Sequence, residues 1–75
     1  MYNSEDIRLV TFSNNTINHV KLEGLALARE YKYRYGVQAL AEAEKNYAHH
    51  YELNKNSQQC CVALNALTRL KLGRL

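Results

Sequence analysis

From residue 17 onward, apolar side chains return every three or four positions. Ile17, Val20, Leu27, Tyr31 and Tyr35 fall on one stripe that also takes in Gly24, the spacing of one face of an α-helix. A cluster of cap-forming side chains, Ser13-Asn14-Asn15-Thr16, precedes it, and their oxygens can accept from the unpaired amides of a first turn. The pattern predicts a helix over 16–35. Gly36 follows, and glycine readily adopts the left-handed backbone that ends helices, with Lys32 and Arg34 suitably placed before it.

A second periodic stretch runs over 37–53. Val37, Leu40, Ala41, Tyr47, Ala48 and Tyr51 share a stripe, while Gln38, Glu42, Lys45, His49 and Glu52 face away. This is the signature of an amphipathic helix, with the first group as its core face. The polar turn Asn54-Lys55-Asn56-Ser57 leads into a third helix over 57–72, with Asn56 and Gln59 spaced as a capping box. Cys60, Ala63, Leu64, Leu67 and Leu70 form its stripe, and Gly73 supplies the stop. Val62, Leu72 and Leu75 are left on other sides and imply a second contact surface.

The start of the chain reads differently. Ile7-Arg8-Leu9-Val10-Thr11-Phe12 alternates in part and is β-branched, which favours a short extended stretch or single β-strand. The expected architecture is mostly α: one domain over 1–75, a small bundle of about three helices with an extended N-terminal arm over 1–15. The arm lies across the helices or pairs with its copy in a second chain. A chain of 75 residues buries only about 60% of its unfolded surface, so a partner chain is an expected source of stability and a homodimer is the favoured state.

Composition narrows the functional classes. There is no proline, and the two cysteines, Cys60 and Cys61, are adjacent, so no disulfide framework can staple distant segments. The first six residues carry two acids, Glu5 and Asp6, where a secretory signal carries positive charge, and no apolar run reaches membrane-spanning length. A cytoplasmic location is expected.

Candidate chemistry is sparse. His49 and His50 are neighbours and point about 100° apart on a helix, whereas helical metal pairs sit three or four apart. Cys60-Cys61 lacks the two-residue spacing of redox and zinc motifs, and one of the two thiols is expected in the core with the other at an interface or in solvent. Glu42 and Glu44 face different sides of their helix. No phosphate-binding loop or nucleophile elbow is present. The expectation is a chain without catalytic residues, metal or cofactor.

The most unusual segment is Tyr31-Lys32-Tyr33-Arg34-Tyr35. As a helix it sends Tyr31 and Tyr35 to the core stripe and Tyr33 outward among the cations. Tyrosine is enriched at protein interfaces because it is rigid, largely apolar and able to make one hydrogen bond. Lys32, Tyr33, Arg34, Tyr47 and Tyr51 are therefore the candidate anchors for a larger protein partner. The expected function is a non-enzymatic interaction module, acting as a regulator, an inhibitor or an assembly subunit of the kind that phages and mobile elements carry. The alternative is a nucleic-acid binder without sequence specificity, since the formal charge is +3. Arg29, Lys32, Arg34, Arg69, Lys71 and Arg74 would then contact phosphates, provided that the ends of the first and last helices lie on one side. A helix-turn-helix does not fit the turn at Gly36: Lys32 stands where that motif has a small residue, and the following helix opens with core-type residues.

Overall fold

The structure is a computed structural model that describes residues 14–75. The proposed strand over 7–12 lies outside the described residues. Three α-helices account for most of the rest: α1 (Asn14–Tyr35), α2 (Ala39–Asn54) and α3 (Gln58–Leu72), with a 3-10 turn over Gly36–Gln38 between the first two. Among the described residues there is no strand. The first helix begins at Asn14, so residues 14 and 15, expected in the arm, are already helical.

Each boundary has a local cause. Gly36 has a φ of 55°, a conformation that strains any residue with a Cβ, and it turns the chain out of α1. Lys32 and Arg34 occupy the last turn of that helix, where their charge complements the negative dipole end. The loop after α2 is tied by the Asn54 side chain, whose Oδ1 accepts from the amide of Asn56 at 3.0 Å. The cap of α3 is Ser57 and not Asn56: its Oγ accepts from the Cys60 amide at 3.0 Å. The Asn56 side chain is therefore one residue too early for the capping box. At the other end Gly73 is left-handed, and the amides of Gly73 and Arg74 both point to the carbonyl of Arg69.

The core is built from small residues. Val20 and Ala28 come from α1, Ala39 and Ala43 from α2, and Cys60, Cys61, Ala63, Ala66 and Leu67 from α3, and the largest side chain with no exposure is Cys60. Five of these nine belong to α3, which packs against both other helices. Both thiols are buried, which corrects the expectation that one would lie at an interface or in solvent. A helix lined on two sides has no solvent face left at adjacent positions 60 and 61.

α1 and α3 touch closely at Gly24. A Cβ on this glycine would lie 2.7 Å from both Cβ and Cγ of Asn65 and nearer still to its Oδ1. The same Oδ1 accepts from Arg69 Nε at 2.8 Å, so the amide is held in place. Further along, Arg29 Nη2 donates to the carbonyl of Leu75 at 3.0 Å. The two contacts advance together along both helices, so α1 and α3 run parallel.

The second helix departs most from expectation. Its buried residues are Ala39 and Ala43, while Asn46 and His50 continue the same ridge half-buried. Val37, Leu40, Ala41, Ala48 and Tyr51, expected in the core, are exposed, Val37 at 99%. Two physical reasons apply. The 3-10 turn carries Val37 before the helix begins. Against neighbours whose facing residues are alanine and cysteine, an alanine ridge allows close backbone approach, whereas Leu40 and Tyr51 would hold the helix away.

Replacement of Gly24 by alanine is expected to destabilise the fold. Overpacking costs about 1–3 kcal/mol, only partly offset by the roughly 1 kcal/mol gained in helix propensity. Thermal unfolding followed by circular dichroism should show a lowered midpoint. Asn65→Gly in the same chain should recover part of the loss and Asn65→Ala less, because the Cβ of Asn65 is itself one of the clashing atoms.

Candidate functional site

The aromatic and cationic segment at the end of α1 adopts the helical geometry. Tyr31 is half-buried and its ring lies 5.6 Å from that of Tyr35, tilted by 40°. Tyr33 projects on the other side and is 92% exposed, with Lys32 and Arg34 exposed on either side of it. Arg34 reaches back one turn to Glu30, Nη2 to Oε1 3.3 Å. Tyr35 itself is exposed, so only Tyr31 of the expected pair reaches the interior.

On α2, the other two anchors sit together. The rings of Tyr47 and Tyr51 meet edge to face at 5.9 Å. With Ala48 and Glu52 they line an open depression of about 410 Å³ on the outer side of the helix. Tyr47 is half-buried and Tyr51 is 46% exposed. This depression is continuous with the displaced apolar stripe, since Leu40, Ala41, Ala48 and Tyr51 recur at helical spacing.

The candidate phosphate contacts are partly drawn together. Arg29 meets Leu75, and Arg69 Nη1 donates to the carbonyl of Arg74 at 3.4 Å. The parallel course of α1 and α3 thus brings three of the six cations, Arg29, Arg69 and Arg74, to the same end. Lys71 lies exposed in the last turn of α3, and Lys32 and Arg34 in the last turn of α1.

A cleft of about 360 Å³ opens where the three helices meet, lined by Glu23, Leu27 and Tyr31 from α1, Asn46 and His50 from α2, and Gln58, Gln59 and Val62 from α3. Glu23 pairs with His19, Nε2 to Oε1 2.7 Å, and the ring of His50 lies across that of His49 at 5.4 Å. Sequence reading passed over this cleft. Its signal was present: Asn46 and His50 stand seven and eleven residues after Ala39, on the ridge that Ala39 and Ala43 define, so polar groups were due to face inward there. Among the described residues, no group of three or more histidine, cysteine or acidic side chains is placed to hold a metal.

Burial pushes the Tyr31 phenol above the ordinary tyrosine range, with Tyr35, Glu30 and Glu42 adding to the effect and Arg34 opposing it. A raised pKa means that the folded state holds this proton more tightly than the unfolded state does. The contribution is present below the unfolded value of about 10 and is lost as pH rises through the folded value. Unfolding measured in denaturant between neutral pH and pH above about 10 should show this loss. Tyr31→Phe should flatten the slope over that alkaline window and leave the neutral-pH slope unchanged.

Among the described residues, no helix is long and apolar enough to cross a membrane. Compared with protein-family models, with curated proteins and with solved structures, the chain matches none of them.

Proposed function

We propose that this chain is a cytoplasmic, non-enzymatic protein-interaction module, a homodimer that docks on a larger protein as a regulator, inhibitor or assembly subunit. The observation that carries the reading is the displaced apolar surface of the 3-10 turn and α2. Val37, Leu40 and Tyr51 stay exposed while the helix buries only alanines. Exposed apolar surface gathered on one face, and not scattered singly, marks a place where another molecule binds. Tyr33, 92% exposed and flanked by Lys32 and Arg34, adds a rigid aromatic of the type that interfaces use as an anchor.

A second reading draws support from the Arg29–Leu75 contact, which gathers cations at one end of the parallel α1 and α3. In this reading the basic end binds nucleic-acid backbone without reading sequence, and Lys32, Arg34, Lys71 and Arg74 supply charge beside Arg29 and Arg69.

Affinity capture from native lysate, with and without nuclease, separates the two. The docking reading expects a stoichiometric protein partner that survives nuclease and is lost with Tyr33→Ala or Tyr51→Ala while helicity is unchanged. Capture that ignores these substitutions would sink it. The second reading expects recovery that vanishes with nuclease, binding of labelled nucleic acid that weakens linearly in log–log with salt, and loss on charge reversal at Lys32 and Arg34.

A further inference from the structure

We propose that the cleft where the three helices meet binds a linear aliphatic polyamine, with one ammonium group at Glu23, the methylene chain along Leu27 and Val62, and a second ammonium group against the ring of Tyr31. The site is separate from the outer face of α2, and the inference does not depend on the docking reading.

Charge selects the class of ligand. The chain has ten lysines and arginines, yet none of them lines the cleft, and with histidine neutral its one charged lining residue is Glu23. A cleft lined by one sign of charge draws the opposite sign and repels its own, so phosphates and carboxylates are disfavoured here and cations are favoured. The partner of Glu23 is His19, which carries charge only when protonated. Glu30 and Glu42, by contrast, are paired with Arg34 and Lys45. Glu23 is thus a carboxylate with no permanent cation on it, and 48% of its side chain is exposed to an incoming ammonium group.

Shape selects within that class. Glu23, Leu27 and Tyr31 follow one another at intervals of four on α1, so they line one stripe that spans about 12 Å along the helix. The order along it is acid, aliphatic, aromatic. An extended aliphatic chain advances about 1.25 Å per bond, which sets the end nitrogens of a diamine with eight methylenes, or of the triamine spermidine, about 11 Å apart. Leu27 and Val62, both half-buried, give the methylenes between those ends an apolar wall.

The far end of the stripe also favours positive charge. A tyrosine ring attracts a cation placed over its face, and Tyr31 is half-buried. Beyond burial itself, Tyr35, Glu30 and Glu42 hold the Tyr31 proton in place and only Arg34 opposes them. The rest of the lining can accept from ammonium groups. Asn46, Gln58 and Gln59 line the cleft, and among the described residues their side chains make no hydrogen bond. Their amide oxygens are therefore available to N–H donors.

Calorimetric titration of the full chain at low salt tests the site. Spermidine and the diamine with eight methylenes should bind alike. The diamine with four methylenes, too short to reach both ends, and octylamine, with one ammonium group, should each bind at least about tenfold more weakly. Glu23→Gln should weaken spermidine by at least about tenfold, with helicity unchanged because the side chain is exposed. Glu44→Gln, an exposed acid outside the cleft, should leave binding as it is. Tyr31→Phe keeps the ring and should keep binding, whereas Tyr31→Leu should weaken it. If Tyr31→Leu does not fold, Glu23→Gln and the length series still decide. No binding at about 5 mM spermidine, above a millimolar Kd, overturns the proposal. So does octylamine binding as well as the long diamine, or binding that falls with Glu44→Gln and ignores Glu23→Gln. A capped lysine peptide that binds the cleft more tightly than spermidine would replace the free polyamine with a peptide ligand.

Discussion

Gly24 lies so close to Asn65 that no side chain fits between them, and this contact decides how near α1 and α3 run and therefore what size of residue the interior accepts. Around it the buried positions are alanine, cysteine, one valine and one leucine. Asn65 is fixed in turn by Arg69, whose Nε donates to the same oxygen that faces the glycine. A polar group thus sits at a close approach of two helices, and the guanidinium satisfies it. Among the described side chains no buried polar atom lacks a partner, as a thin core requires if burial is to stabilise at all.

A core of this grain has a consequence for every large side chain. Where neighbouring backbones come close, the described aromatic side chains and the described leucines other than the buried Leu67 are kept from the centre and take the flanks, half-buried as Leu27, Tyr31, Tyr47 and Leu64 are, or exposed as Leu40 and Tyr51 are. Sorting by size accompanies sorting by polarity. The apolar residues displaced from the interior become the surface through which the protein would act, so the packing that holds the fold also generates the candidate interface.

This explains how far the sequence could be read. Helical character and the breaks at Gly36 and Gly73 follow from periodicity and from glycine geometry, both of which are local. Gly24 could be marked as a close approach because it interrupts an apolar stripe. The orientation of α2 could not be read the same way. Apolar side-chain area ranks Leu40 and Tyr51 above Ala39 and Ala43, and only the size of the residues facing them from α3 reverses that order. The shift from Asn56 to Ser57 at the α3 cap is of the same kind, since the Asn54 side chain closes the turn on the Asn56 amide. The cleft at His50 was missed because it depends on which face of α2 turns inward. The placement of the cations depends on α1 and α3 running parallel, which no single segment encodes.

The two functional readings differ in what they ask of the fold. Of the six candidate cations, Arg29 holds Leu75, Arg34 holds Glu30 and Arg69 holds Asn65. The first two contacts are exposed and contribute little, so a phosphate could displace them. The third is part-buried and keeps the Asn65 amide against Gly24. Drawing Arg69 onto a nucleic-acid backbone would loosen the contact on which the α1–α3 packing rests. The outward face of α2 makes no such demand, because Leu40, Ala48 and Tyr51 are already exposed and covering them removes apolar surface from water. That asymmetry is the physical reason to place the apolar face ahead of the basic end.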